Sequence, residues 1–134
     1  MLPVFAARAA AVVMVGIAAF HVALVFGAPW GAYTQGGETE GALDTSGRVF
    51  AAISCAILLV MAAAILARVR EGPLENAPGR LVTALAWLTT IYAALAVVLN
   101  LATRSSSERA VFAPTAILLF VLVVITMVGS RRTG

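Results

Sequence analysis

Side chains that could do chemistry are few in this chain, and they lie near the ends of long apolar runs. His21 is the single histidine, and an ionisable side chain inside an apolar run marks a candidate functional site. The segment GAPWGAYTQGG, residues 27–37, follows it with two aromatic residues and several glycines. An imidazole could bind a ligand or move a proton. The candidate site residues are His21, Trp30, Tyr33, Arg48, Asn100, Glu108 and Arg109.

Two of these candidates have a structural interpretation that the sequence leaves open. His21 could be neutral and hydrogen-bonded to a loop carbonyl rather than functional. Asn100 could link two helices or cap a helix end, as polar side chains in membrane bundles often do. Both residues are expected near the same end of the bundle, because each precedes the end of its apolar run.

The remaining candidates also fit the membrane interface. Trp30 and Tyr33 are typical of the aromatic belt at the headgroup level. Arg48 and Arg109 are typical interfacial anchors, although Arg48 could instead pair with Glu108 or with a carboxylate of the first loop. The first loop carries few charges and two aromatic residues, so we expect it to pack over the bundle.

No cofactor, metal site or catalytic residue is expected from the residue types present. A haem inside a bundle needs paired axial ligands, and a zinc site needs three or four ligands. The chain has no lysine for a Schiff base, and Cys55 has no second cysteine with which to form a disulfide. Ser54 with His21 as its base lacks an elbow motif and an orienting carboxylate. An enzyme is therefore the least favoured class.

The composition indicates a membrane protein. Hydrophobic residues make up 62% of the 134 residues and charged residues 11%, with a mean hydropathy of +1.02. A domain of this size cannot hide so much apolar surface from water. The net charge of +3 comes from scattered arginines, which does not indicate nucleic-acid binding. We expect residues 1–134 to form a single integral membrane domain.

Four apolar runs are long enough to cross a bilayer as helices. The predicted fold is therefore an all-α membrane protein, a four-transmembrane-helix bundle whose first run is an uncleaved anchor rather than a signal peptide. No carboxylate falls within these runs, which argues against proton-coupled transport. The predicted spans are 9–27, 49–67, 81–102 and 110–129.

Arginine counts predict the orientation. With four spans, one side would hold Arg8, Arg68, Arg70, Arg80, Arg131 and Arg132, and the other Arg48, Arg104 and Arg109. The richer side should be cytoplasmic, which places both termini inside. The loop at residues 28–48 would then be extracytoplasmic and fold over the bundle.

Small residues spaced three and four apart predict which helix faces pack inward. The second span offers two adjacent stripes, one through Ala52 and one through Ala51. The fourth span is bulky nearly all round, so we expect it to lean on a tight centre made by the other three. The stripes on the first and third spans are Ala11, Met14, Ala18 and His21, and Ala86, Thr89, Ala93, Ala96 and Asn100.

The segment GAPWGAYTQGG, Arg48, Asn100 and the segment SSSERAVFAP occur in an order that resembles an uncharacterised family of small bacterial membrane proteins. The family is common in actinobacteria and has four transmembrane helices and a Gly-Ala-Pro-Trp-Gly outer loop. The resemblance implies a four-helix membrane protein without catalytic residues to transfer. It implies that the following motif residues gather on the outer side: Pro29, Trp30, Gly31, Arg48, Asn100, Glu108, Arg109 and Pro114.

The sequence favours a non-enzymatic accessory or scaffold subunit of a membrane assembly in the bacterial cytoplasmic (plasma) membrane. The alternative is an outward-facing protein that binds or passes a small molecule or lipid through the polar cluster. A membrane enzyme that uses His21 is a third hypothesis. Expected partners are membrane lipids and other membrane protein subunits or further copies of the chain, without nucleic acid.

Overall fold

Four long helices build the protein. The computed structural model describes residues 1–130, and no strand occurs in that range. Each helix has 24 residues and is long and apolar enough to cross a membrane. The prediction of four apolar helices is confirmed, and they fit a small integral membrane protein. The helices are α1 (Leu2–Val25), α2 (Thr45–Arg68), α3 (Gly79–Ala102) and α4 (Ser106–Gly129).

All four helices begin earlier than the predicted spans. The differences are seven residues for α1, four for α2 and α4, and two for α3, since the helices start at residues 2, 45, 106 and 79 rather than at 9, 49, 110 and 81. The predicted bounds followed the apolar runs of the sequence, which stop at charged or polar residues. The helices are longer because helical hydrogen bonding continues through those residues. Glu108 and Arg109 consequently belong to the first turn of α4 instead of preceding it.

A glycine turn ends α1. The backbone N–H of Gly27 donates to the carbonyl of Leu24, and that of Ala28 donates to Ala23, the two bonds of a Schellman motif. Gly27 has φ +96°, a conformation that favours a residue without a Cβ. Pro29 follows two residues later and cannot continue a helix.

Side-chain caps begin α2 and α4. The carboxylate of Asp44 accepts a hydrogen bond from the backbone N–H of Gly47 at 2.8 Å. The hydroxyl of Ser105 accepts one from the N–H of Glu108 at 3.1 Å. Each cap gives a partner to an N–H that the first turn of a helix leaves free.

Helices α1, α2, α3 and α4 form a ring in which each one packs on its neighbours in the chain and α4 closes on α1. The α1–α2 contact is the most extensive, the α3–α4 contact is next, and the α2–α3 contact is the smallest of the four. The expectation that α4 leans on a centre made by the other helices is therefore wrong. α4 packs on both α3 and α1 through one buried face, formed by Ala113, Ala116, Leu119, Val123 and Thr126.

We call the end of the bundle that carries residues 26–44 the loop end, and the opposite end, where α1 begins, the terminal end. Small residues let α1 approach its neighbours closely, as in other membrane bundles. The core lies in the middle of the bundle and toward the terminal end. Its buried residues are Ala7, Ala10, Ala11, Met14, Ala18, Leu58, Met61, Ala62, Ile65, Ala86, Leu119 and Val123.

The inward stripes predicted for α1 and α3 lie largely inside. Met14 and Ala18 on α1 and Ala86 and Ala93 on α3 are buried. Of the two stripes offered for α2, Ala51 and Ser54 or Arg48, Ala52 and Cys55, neither alone is the inward face. Ala51 is buried and Ala52 is exposed, but Cys55 packs against the core.

Candidate functional site

A cavity of about 160 Å³ lies among the four helices at the loop end. Every helix contributes to it, together with the segment that follows α1. It lies beyond the core on the side of the loop end, where polar residues replace alanines and leucines. The lining residues are Ile17, Phe20, His21, Tyr33, Thr34, Leu58, Tyr92, Ala96, Asn100, Glu108, Phe112, Thr115, Ala116 and Leu119.

The cavity has a polar mouth and an apolar floor. Asn100 and Glu108 lie within about three residues of a helix end, hence roughly 5 Å from the loop end at 1.5 Å per residue. Leu58 and Leu119 lie 13 residues from the start of their helices, hence about 20 Å deep. A molecule with one polar and one apolar part would match this gradient.

The tautomer of His21 follows from its hydrogen bond. Its Nδ1 lies 2.8 Å from the backbone carbonyl of Ile17, one turn earlier in α1. A carbonyl oxygen can only accept, so Nδ1 carries the proton. In the neutral form of the ring Nε2 is then an acceptor, and no hydrogen bond within residues 1–130 engages that atom. The structural interpretation of His21 is right about a carbonyl partner, but the carbonyl belongs to α1 rather than to a loop.

Asn100 uses one of its two amide hydrogens within its own helix. Its Nδ2 donates to the backbone carbonyl of Ala96 at 2.7 Å. Its Oδ1 has no hydrogen-bond partner in the described part of the chain and is an acceptor at the cavity mouth. Within the described residues Asn100 thus neither links two helices nor caps a helix end, because its side chain bonds one turn back in its own helix.

Glu108 is held by the α3–α4 connection. Its Oε2 accepts a hydrogen bond from the hydroxyl of Thr103 at 3.1 Å, and that hydroxyl oxygen accepts one from the N–H of Ser105 at 3.3 Å. In an ordinary capping box, the glutamate three residues after a serine cap accepts a hydrogen bond directly from the backbone N–H of that serine. Here the hydroxyl of Thr103 lies between the Glu108 carboxylate and the N–H of Ser105 and bonds to both. The second carboxylate oxygen, Oε1, has no partner among residues 1–130.

The segment after α1 contacts the start of α4. It forms two short 3-10 turns, Gly31–Tyr33 and Gln35–Gly37. The hydroxyl of Ser105 donates to the carbonyl of Ala32, and Nε2 of Gln35 donates to the carbonyl of Gly47 at 2.9 Å. These bonds position Tyr33 and Thr34 against the cavity.

Gly31 is required by close backbone contact within this segment. Its N–H donates to the carbonyl of Gly41 at 2.8 Å. A Cβ at this position would lie 2.4 Å from the carbonyl oxygen of Thr39 and 2.7 Å from that of Gly41. A larger residue would therefore push residue 31 away from residues 39–41, which explains the second glycine of the Gly-Ala-Pro-Trp-Gly sequence.

An aromatic cluster lies beside the cavity. The rings of Phe20 and Trp30 stack with centroids 5.9 Å apart and an interplanar angle of 7°. Phe20 also contacts Phe112 on α4 at 5.1 Å and His21 edge-on at 5.5 Å. Trp30 does not line the cavity itself but packs on a ring that does. The cluster joins α1, the loop segment and α4.

The two candidate arginines lie outside the cavity. Arg48 donates from Nε to the carbonyl of Leu43 at 2.9 Å and forms no ion pair with Glu108 or any carboxylate among residues 1–130. The predicted pairing of Arg48 is therefore absent there, because the guanidinium stays on the backbone near its own helix start. Arg109 donates to the carbonyl of Thr103 at 2.9 Å, beyond the end of α3.

Of the predicted site residues, His21, Tyr33, Asn100 and Glu108 line one cavity, and Trp30 stacks on its wall. Sequence reasoning missed other lining residues because apolar aromatics and threonines inside a span look like ordinary packing residues. One signal could have found Tyr92: it lies four residues before Ala96 and eight before Asn100, so the three residues share one face of α3. The missed polar or aromatic lining residues are Phe20, Thr34, Tyr92, Phe112 and Thr115.

Polar contacts also occur at the terminal end. Arg68 is buried and donates to the hydroxyls of Thr83 and Ser130, each at 3.2 Å, and to the carbonyl of Ser130. Arg8 donates two hydrogen bonds to the carboxylate of Glu71, at 3.0 and 2.6 Å. The Arg8 hydrogen bond, more than its charge, lowers the pKa of Glu71 below its usual value. Arg131 and Arg132, which enter the arginine count for orientation, lie outside the described residues.

No protein-family model, curated protein or solved structure matches this chain. The loop-end cavity is therefore the feature of the molecule from which a function can be inferred. Within residues 1–130 no group of three or more histidine, cysteine or carboxylate side chains is arranged to hold a metal ion.

Proposed function

We propose that this protein is a multi-pass protein of the bacterial cytoplasmic membrane that binds a small molecule in the loop-end cavity. One observation supports the proposal above all: His21, Tyr33, Asn100 and Glu108 come from four separate elements and line one cavity of about 160 Å³. A cavity near 150 Å³ in a protein interior is large enough for a molecule the size of benzene. The acceptors at the mouth would orient that molecule.

Both termini are proposed to be cytoplasmic, and the 26–44 segment to cover the loop end on the outer side. The arginine distribution supports this orientation. Arg68 is buried among three helices, yet the remaining arginines still favour the terminal end by five to three. The cavity would then open toward the outside, where a ligand can reach it without crossing the bilayer.

The accessory-subunit role predicted from the sequence stays a prediction. The apolar faces of the helices suit lipid acyl chains as well as they suit partner helices, so those faces favour neither occupant. The family resemblance is likewise an expectation. The cavity supports the binding role, because it brings side-chain acceptors without partners among residues 1–130 together around one space that a ligand can enter.

Ligand retention tests the proposal. The protein would be taken from native membranes into lipid nanodiscs and released for native mass spectrometry. We expect a bound small molecule in the wild-type protein and in Ala84→Phe, an exposed position on α3. Ala96→Phe, which fills the cavity from the same helix, should abolish retention. Equal retention by all three proteins, or none by the wild type, would refute a ligand in this cavity.

A further inference from the structure

We infer that the ligand is an amphiphilic organic cation, with an ammonium head in the loop-end cavity and an alkyl chain between α2 and α3. The inference rests on the proposed function and names the chemical class of the ligand. It combines two parts of the structure: the charge and aromatic content of the cavity, and an apolar groove that shares a wall with it.

The cavity is complementary to a positive charge. Glu108 supplies the only formally charged side chain among the lining residues described, if His21 is neutral. One of its carboxylate oxygens is free of partners within residues 1–130, and so is Oδ1 of Asn100. These acceptors, and Nε2 of His21, suit a ligand that brings hydrogen-bond donors or a positive charge.

Aromatic rings strengthen the preference for a cation. Phe20, Tyr33, Tyr92 and Phe112 all line the cavity. The face of an aromatic ring attracts ammonium groups, and sites that recognise quaternary ammonium are built from several such rings. A cavity that holds one carboxylate and several aromatic rings in its walls therefore favours an amine or trimethylammonium head over an uncharged polar head.

An anionic head is disfavoured by the positions of the arginines. Arg48 donates to the carbonyl of Leu43, and Arg109 donates to the carbonyl of Thr103. Neither arginine lines the cavity, so neither offers a charge to a phosphate or sulfate head there. An anion would instead meet the carboxylate of Glu108 at short range, which is unfavourable.

An apolar groove next to the cavity could hold the alkyl chain of the ligand. A space of about 360 Å³ lies between α2 and α3, the least extensively packed pair of neighbouring helices. Its walls are almost entirely apolar, and it lies near the middle of both helices, at the depth of the bilayer hydrocarbon. It is lined by Ala56, Ile57, Val60, Met61, Leu85, Leu88, Thr89 and Tyr92.

Tyr92 is common to the walls of the cavity and of the groove. In the proposed pose, the head of the amphiphile reaches Glu108 and its alkyl chain passes Tyr92 into the groove. An alkyl chain is narrow enough to lie along a groove between two helices in contact.

Trp30 provides the readout. The chain has two tryptophans, and Trp87→Phe would leave Trp30, which stacks on the cavity-lining Phe20. Fluorescence would be titrated in dodecyl maltoside micelles with dodecyltrimethylammonium, dodecyl sulfate and tetramethylammonium. We expect saturable binding of dodecyltrimethylammonium at least about tenfold tighter than of either other probe.

Two matched pairs of variants locate the head and the chain. Glu108→Gln keeps an acceptor for Thr103 but removes the charge, and should weaken dodecyltrimethylammonium binding at least about tenfold. Glu38→Gln removes an exposed charge and should have no effect. Ala56→Phe should reduce dodecyltrimethylammonium affinity to that of tetramethylammonium, whereas Ala52→Phe, one turn away on the same helix, should not.

The outcomes separate two proposals: that the cavity binds a ligand, and that this ligand is a cationic amphiphile. Equal binding of dodecyl sulfate, or no effect of Glu108→Gln in a variant with wild-type thermal unfolding, overturns the cationic ligand. An unchanged affinity in Ala56→Phe overturns the position of the chain. If native mass spectrometry still finds a retained molecule, the proposed function survives these failures. Loss of both the retained molecule and every Trp30 response refutes binding in the cavity altogether.

Discussion

The hydroxyl of Ser105 donates a hydrogen bond to the backbone carbonyl of Ala32, with 2.5 Å between the two oxygens. The two residues are 73 positions apart in the chain. The same hydroxyl accepts a hydrogen bond from the N–H of Glu108 as the cap of α4. One side chain therefore stabilises the start of a helix and holds the loop segment against it, next to the cavity.

Ser105→Ala should destabilise the protein more than the loss of a helix cap alone. Removing the cap costs about 1 kcal/mol, and loss of the bond to Ala32 adds about 1 kcal/mol. Asp44→Ala is the control, because it removes only the cap of α2. Thermal unfolding measures both effects, and hydrogen exchange should rise across residues 31–37 in Ser105→Ala. Equal unfolding temperatures with unchanged exchange would show that the Ala32 bond contributes nothing.

Gly129→Ala should separate the end of α4 from the start of α1. A Cβ on Gly129 would lie 2.9 Å from Cβ and 3.0 Å from Cγ of Pro3. Overpacking of this kind costs about 1–3 kcal/mol. Gly16→Ala provides the comparison, because a Cβ on Gly16, on the exposed side of α1, would meet no atom within 4 Å. We expect a lower unfolding temperature for Gly129→Ala alone, and equal temperatures would contradict the close contact.

The Arg8–Glu71 contact should make stability depend on pH. Folding lowers the pKa of Glu71, chiefly through the hydrogen bond from Arg8. The contribution is therefore complete above the unfolded pKa of about 4.3 and is lost as pH falls through the lower folded pKa. Glu71→Gln should be less stable than the wild type at neutral pH and equally stable at the acidic end of a series.

Thermal unfolding between about pH 7 and pH 3 measures this effect for Glu71→Gln, with Glu40→Gln as the control. Glu40 is exposed and has no ion-pair partner within residues 1–130. The control should follow the wild type at every pH. A difference between Glu71→Gln and the wild type that stays constant over the whole series would rule out the linkage.

The proposed orientation predicts which loop is accessible from outside the cell. In a Cys55→Ala background, a cysteine at Glu38 in the 26–44 segment should react with a membrane-impermeant maleimide in intact cells. A cysteine at Glu75, in the connection between α2 and α3, should react only after the cells are opened. The reverse pattern would place the cavity mouth in the cytosol.

The sequence predicted the four helices because lipid-facing and core-facing positions are both apolar, so a long run marks a span directly. For the same reason, the sequence did not show which face of α4 is buried. Leu119 and Val123 are buried while Leu118 and Val121 are exposed, yet all four residues look alike in the sequence. Residue type cannot distinguish the lipid-facing side of a helix from its core-facing side, because lipid and protein core are both apolar.

The candidate site was predictable in part. His21 and Asn100 stood out because polar side chains are rare inside spans, and they line the same cavity. The role of Glu108 depended on where α4 begins, which the apolar run placed four residues too late. Tyr92 and Phe112 could not be distinguished from packing residues, because their place on the cavity wall depends on how the helices are rotated.

A density map of the protein purified from its native membrane tests binding in the loop-end cavity most directly. We predict non-protein density among His21, Asn100 and Glu108, in contact with the ring of Phe112, and continuous past Tyr92. The density should be absent from the Ala96→Phe variant prepared in the same way. A wild-type cavity that holds only water, or that the surrounding side chains close, would contradict the account.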